Sequence, residues 1–364
     1  MRTMNLRHLP IVIGAVTMIV TGQRAYGQGC VAARQGAPIV GALCGGEETA
    51  DSGAKGFMGG IFTGPSAPGK WNVSFGYRWL DSFRHFVGDV EQPQRVLQDT
   101  QQENREHLFD VSLSYRVSRR WNLAISAPVT DADRINHRTK GVTESTGLGD
   151  MTIGAKFWIW RPPTESRQNI QVGISLKLPT GKPNVTSMIT GTATPSTTPT
   201  TVDQSIQLGD AGTGIAIDYL AYKTLPARFT LFSTGIYLLN PRNTYTATTP
   251  GARVLSVSDQ YLFRGGAGYA VPKFHGVALS AAMRDEGVPA RDLIGREDGF
   301  RRPGYAVSFE PGIQFARGRS LWSFSYAFAV RRDRTQSVSD VRSGGHGDAA
   351  FADNLLVLGY SRSF

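Results

Sequence analysis

The feature that most constrains this chain is a period of two that begins at Lys70 and runs to Phe364. Trp71, Val73, Phe75, Tyr77 and Trp79 alternate with Asn72, Ser74, Gly76 and Arg78, and Phe109, Val111, Leu113, Tyr115 and Val117 alternate with Asp110, Ser112, Ser114 and Arg116. Successive side chains of a strand point to opposite faces, so each such stretch has one apolar and one polar face. Twelve stretches read this way, approximately 70–79, 107–117, 121–130, 147–160, 168–178, 209–222, 228–240, 259–271, 276–284, 303–316, 320–331 and 351–364. Stretch 228–240 is ambiguous, because Phe232, Ile236 and Leu238 put apolar residues on both faces. Pro311 cannot donate to a ladder and predicts a bulge within 303–316.

The connections alternate between long (80–106, 131–146, 179–208, 241–258, 285–302, 332–350) and short (118–120, 161–167, 223–227, 272–275, 317–319). A soluble sandwich has no reason to sort its loops this way. A bacterial outer-membrane barrel does, with short periplasmic turns, long external loops and an even strand number. Outward aromatics also fall into two groups. Trp71, Tyr115, Trp121, Phe157, Tyr219, Phe229, Tyr269, Phe315 and Trp322 lie near short turns, and Tyr77, Trp79, Phe109, Tyr237, Tyr261, Phe263, Tyr305 and Phe328 near long loops. Two belts of rings at two interfaces are a membrane-barrel pattern. The last stretch places Leu356, Leu358, Tyr360 and the terminal Phe364 on one face. Tyr360 and Phe364 resemble the signal read by the outer-membrane barrel assembly machinery. Arg362 interrupts that face near the rim, where a long side chain can reach headgroups. The expected fold class is all-β, a transmembrane antiparallel β-barrel of about 12 strands with both termini periplasmic, over residues 70–364.

Residues 1–27 read as a secretory signal peptide. Arg2 and Arg7 precede an apolar run from Leu9 to Val20, and Ala25 and Gly27 supply the small residues before a cut. Losing Arg2, Arg7 and Arg24 takes 39 basic residues to 36 against 29 acidic ones, so the net charge falls from +10 to +7. The basic residues form no block, so nucleic acid is not an expected partner; lipid and lipopolysaccharide are. Residues 28–69 read as a flexible Gly-rich periplasmic segment or one that enters the lumen. In an exported chain Cys30 and Cys44 fit a disulfide, though their spacing also permits two free thiols.

Strand parity sends Arg78, Arg116, Lys156, Lys177, Arg264 and Arg284 inward, with Asp110, Asp150, Asp218, Glu310 and Asp353. Six positive and five negative groups predict a polar, weakly ion-selective lumen. The other inward positions are mostly small, which predicts a narrow pore or a ligand-sized cavity. Asp150 and Asp210 open strands that descend from long loops on either side of the stretch carrying Lys177. The three predict a charge cluster at the outer mouth. It would be either a constriction that screens solutes or a salt-bridge network that closes the wall.

The run Gly147-Leu148-Gly149-Asp150-Met151-Thr152-Ile153-Gly154-Ala155-Lys156, with Ser175-Leu176-Lys177-Leu178-Pro179-Thr180-Gly181, resembles the outer-membrane transporter family associated with meta-pathway phenol degradation. The resemblance covers roughly 147–181 and weakens in later strands. It implies a channel or transporter for small solutes, with aromatic or other hydrophobic compounds as the class, and transfers no binding residues.

His85, His107, His137, His275 and His346 lie in loops or at strand ends and match no triad spacing, and Gly265-Gly266-Ala267-Gly268 is followed by no helix. No enzyme, cofactor or metal site is expected. Loop 285–302, just after Arg284, carries Asp285, Glu286, Arg291, Asp292, Arg296, Glu297 and Asp298, and reads as a solvated mixed-charge loop ahead of a cation or lipopolysaccharide site. The low-complexity run Gly191–Thr200 suits gating loops, and equally a surface adhesin or interaction barrel without transport.

Overall fold

The computed structural model describes residues 69–160, 166–246, 254–295 and 299–364. The expected signal peptide, the Cys30 and Cys44 pairing, and all but the last residue of segment 28–69 lie outside the described residues. The described chain forms a closed antiparallel barrel of twelve strands. They are β1 (Trp71–Ser82), β2 (Gln102–Arg116), β3 (Trp121–Asn136), β4 in two pieces (Gly141–Leu148 and Met151–Trp158), β5 (Gln168–Leu178) and β6 (Gly214–Thr224). The second half comprises β7 (Phe229–Leu239), β8 (Gln260–Ala270), β9 (Val277–Val288), β10 (Gly304–Arg317), β11 (Ser320–Asp333) and β12 (Asn354–Ser363). Each strand pairs with the next, and β1 closes on β12 with Phe75 opposite Tyr360 and Tyr77 opposite Leu358. Closure is the condition for strands in lipid, because an open edge would leave N–H and C=O groups with nothing to bond.

The outward face is apolar. Ile153, Ile174 and Ile217 are 50%, 58% and 52% exposed at mid-wall, a surface that water would not tolerate. Aromatic pairs frame this band. Trp71–Tyr115, Trp121–Phe157 and Phe229–Tyr269 sit at the short-turn end with centroids 4.6, 4.7 and 4.9 Å apart. Tyr77–Phe109 and Phe309–Phe328 sit at the long-loop end, at 5.1 and 5.6 Å. Tyr261 keeps its outward parity but is only 5% exposed, held between Tyr237 and the bare strand position of Gly287.

Several strands run further toward the long loops than the alternation indicates. β2 begins at Gln102, β3 continues to Asn136, β9 reaches Val288 and β11 reaches Asp333. The expected long connection 131–146 is mostly ladder, with Asn136 opposite Gly141 and only 137–140 unpaired. Beyond the lipid band both faces of a strand meet polar surroundings. The contrast that marks alternation fades there while backbone pairing continues. The bulge of β10 against β11 falls between Val307 and Ser308 rather than at Pro311, which faces outward and pairs normally with Ala281 of β9.

Inward Trp158 of β4, Leu220 and Tyr222 of β6, Ala278 of β9 and Leu321 of β11 pack into one buried cluster at the short-turn end, joined by Phe232 and Ala316. These members come from opposite walls, so the interior is apolar at that level.

Candidate functional site: the lumen and its mouth

The mouth is organised by a break in β4. Pro128 of β3 has no N–H to offer, and opposite it β4 leaves the ladder at Gly149 and Asp150 before resuming at Met151. Thr180, just past β5, splices the gap: its hydroxyl donates to the Gly149 carbonyl and accepts from the Met151 N–H, both at 2.8 Å. The Gly181 N–H donates to Asp150 Oδ1 at 2.9 Å. Lys177 is fully buried, with Nζ 2.6 Å from both carboxylate oxygens of Asp210 and 3.6 Å from Asp150 Oδ2. Gly209 is required by close approach, since a Cβ there would stand 2.4 Å from the Gly181 carbonyl oxygen and 2.9 Å from Asp150 Oδ1.

Loop 179–213 then turns into the barrel. Val185, Val202, Ile206 and Leu208 bury themselves against Ala132 of β3. Asp203 caps a single 3₁₀ turn, Gln204–Ile206, by accepting from the Ser205 N–H at 3.0 Å. Arg302, from the loop before β10, donates to both Asp203 oxygens at 2.6 and 2.8 Å. Arg134 of β3 approaches Asp203 at 3.6 Å and donates to Asn104 of β2 at 2.8 Å. Gln204 donates to the Ser256 carbonyl at 3.0 Å. The turn is thus pinned from β2, β3 and two other loops. Beneath it lies a cavity of about 60 Å³, bordered by Leu108, Asp110, Pro128, Gln207, Leu208 and Tyr245 among others.

Burial pushes the Asp203 carboxyl up, but Arg302 and Arg134 more than reverse this and hold it well below the ordinary carboxylate range. A depressed pKa contributes stability that is present above the unfolded value and is lost only as pH falls through the folded one. The latch should therefore be unchanged between neutral pH and pH 5. Proteolysis of loop 179–213 in the reconstituted protein, followed against pH, checks this, and Asp203→Asn should abolish that protection at every pH.

Below the mouth, Lys156 of β4 and Asp218 of β6 meet at 3.1 Å across Gly173 of β5, which pairs with both. A Cβ on Gly173 would stand 2.3 Å from Asp218 Oδ2. On the other wall Glu310 takes Arg264 at 2.8 Å and Arg284 at 3.7 Å, and Arg284 takes Glu286 at 2.8 Å. Arg264 lies over the ring of Phe232, 5.3 Å from its centroid. Asp110 accepts from Ser112 and Ser126 at 3.0 and 2.6 Å. Arg78 is buried on the same level.

Two of the eleven expected lumen charges stand apart from these groups. Arg116 is the last residue of β2, at the short-turn rim. Asp353 precedes β12 and serves the outer rim, taking Arg84 at 2.7 Å and Arg332 at 2.6 Å. Among its described residues loop 285–302 is solvated only in part, with Arg291, Leu293 and Ile294 exposed. Asp285–Val288 belong to β9, and Arg301, fully buried, holds the buried Asp292 at 2.6 Å. Tyr360 lies tilted against Trp322 with centroids 5.4 Å apart, and the Phe364 N–H donates to the Trp71 carbonyl at 2.8 Å. His137 meets Glu103 at 2.7 Å, and His107 bonds Tyr77 at 2.8 Å on the outer wall. Among the described residues no group of three His, Cys, Asp or Glu side chains is placed to hold a metal ion.

Glu106 and Glu286 also face inward and are buried, but they fall where the alternation reads loop. Trp158, Leu220 and Tyr222 did leave a signal: they share parity with Lys156 and Asp218, on the face that is otherwise polar. Asp203 and Arg302 left none, being 99 residues apart in two loops.

No protein-family model matches the sequence, and no curated protein sequence does. The fold is similar to that of an outer-membrane channel from Pseudomonas putida F1, at 12% identity over 83% of this chain and 97% of that one, with a TM-score of 0.57. The translocator domain of the autotransporter NalP from Neisseria meningitidis is also similar, at 12% identity over 82% of this chain and 90% of that one, with a TM-score of 0.46. So is the monoaromatic hydrocarbon channel CymD, at 11% identity over 93% and 98%, with a TM-score of 0.42. At these identities the likeness is one of fold. With its closed twelve-stranded wall and apolar outer band, the chain is a β-barrel of the bacterial outer membrane.

Proposed function

We propose that this barrel is an outer-membrane channel that passes small solutes without catalysis, aromatic and other hydrophobic compounds included. The observation that carries this reading is the cavity inside the mouth, closed from outside by a loop that polar contacts hold in place. Its border mixes Leu108, Pro128 and Leu208 with Asp110 and Gln207, so apolar and polar groups meet behind the loop. Rings of Trp158, Tyr222 and Phe232 make the interior apolar again at the short-turn end, beyond the charged pairs. Lipid and lipopolysaccharide are the partners of the outer wall in this reading.

A second reading, a surface interaction barrel without transport, draws on the hairpin in which Thr200 and Thr201 pair with Ser187 and Thr186 over the mouth. Liposome swelling across sugars, small acids and aromatics separates the two, with protein-free vesicles as the baseline for passage through lipid. The channel reading expects swelling several-fold above that baseline for at least one class. Rates equal to the baseline for every class, with no conductance in planar bilayers, would overturn it.

A further inference from the structure

Arg78 of β1 points into the lumen and is 4% exposed, yet neither Nη1 nor Nη2 of its guanidinium has a hydrogen-bond partner. Protein interiors seldom keep a buried charged donor in that condition. The charged groups that face it are Arg284, Glu286, Glu106 and Asp110. Glu286 is engaged by Arg284, and Asp110 by Ser112 and Ser126. Glu310, on the same level, is engaged by Arg264 and Ser325.

The side chains that flank Arg78 across the ladder are apolar. Its cross-strand neighbours are Leu108 on β2 and Val357 on β12, and Val357 packs on the buried cluster of Leu80 and Leu355. Leu108 and Asp110 also border the cavity beneath the mouth loop. The guanidinium therefore rises from a hydrocarbon patch, and its strand partner Leu108 borders the cavity.

We propose that Arg78 is the binding group for a small organic monocarboxylate in the lumen. This rests on the channel reading and names its substrate class. A guanidinium offers a planar fork of N–H groups that matches a carboxylate two-to-two, and here that fork can be used without breaking an existing pair. Leu80, Leu108, Leu355 and Val357 would receive the hydrocarbon body. Glu106, Asp110 and Glu286 repel a second negative charge, so a dicarboxylate is selected against.

The test uses the full chain, purified in detergent for calorimetry and reconstituted for transport, with benzoate as the probe and phthalate as the dianion. Wild type should bind benzoate and not phthalate. Across a potassium benzoate gradient, the zero-current potential should show benzoate permeating. Arg78→Gln should weaken benzoate binding about tenfold or more, the scale of one charge-assisted contact. It should lower benzoate permeability to match while arabinose swelling stays as in wild type. Arg78→Lys keeps the charge, loses the fork and should fall between.

Arg78→Gln should also fold normally, seen as unchanged heat-modifiable gel mobility, because Nη1 and Nη2 make no hydrogen bond that the substitution would break. If it fails to fold, Arg78 is a structural cation and the proposal falls. Unchanged benzoate binding in Arg78→Gln, or equal binding of phthalate by wild type, would also overturn it. Benzoate binding that depends on Arg78, with no passage of any solute, would support the site and sink the channel reading instead.

Discussion

In Lys177→Ala, loop 179–213 should come away from the mouth, seen as rapid proteolysis within the loop while the rest of the barrel resists. Lys177 is buried between Asp150 and Asp210, whose closeness to each other it makes tolerable. Removing one partner of a buried ion pair costs about 3–5 kcal/mol, because the charge left behind has neither water nor a counter-ion. Two carboxylates remain here, at the point where Gly181 and Gly209 bring the loop's two ends into backbone contact. The loop can relieve them by lifting Asp210 into water, and that undoes the seat of Ile206 and Leu208 as well.

Lys177→Met with Asp210→Leu removes both charges of the close pair and should restore much of the protection, which a purely steric role for lysine would not allow. The same variants decide between the two uses of the cluster. If it screens solutes, Lys177→Ala shifts ion preference toward cations in planar bilayers. Unchanged conductance and selectivity would leave the cluster as a wall-closing network.

What the sequence discloses here follows from where contrast exists. Trp71 to Trp79 alternate with polar residues because lipid lies on one side and a hydrated interior on the other, so parity is readable through the membrane band. Past that band, Asp131–Asn136 and Asp285–Val288 keep their ladders in polar surroundings on both faces, and the pattern goes silent. Contacts along neighbouring strands are readable from strand order, which puts Asp150, Lys177 and Asp210 at one end of adjacent elements. Contacts across the lumen are not, because they depend on tilt and stagger. Nothing in the spacing of Asp203 and Arg302, or of Trp158 and Leu321, says that they share a level. The splice by Thr180 is legible only in retrospect: the Leu-Pro-Thr-Gly run has no alternation to interpret, and its use appears once Pro128 is seen opposite the gap in β4.

Trp158→Ala should leave conductance nearly as low as wild type when made alone, and should raise it sharply when combined with Lys177→Ala. Trp158 is fully buried at the short-turn end, edge-on to Tyr222 with centroids 6.1 Å apart, in a cluster that draws Leu321 from the far wall. Truncating a buried Trp costs about 3–5 kcal/mol and leaves a void on the scale of the lost ring, here within the interior cluster. If the barrel is a channel, the mouth loop and this cluster are narrow points in series, so their resistances add and the tighter one sets the current. Opening either leaves the other in control, and opening both should multiply the effect. Single-channel recordings of the two single variants and the double test this directly. A large rise in Trp158→Ala alone would show that the loop does not close the mouth. A double variant no more conductive than Lys177→Ala would show that the apolar cluster is packing, with the solute path running elsewhere.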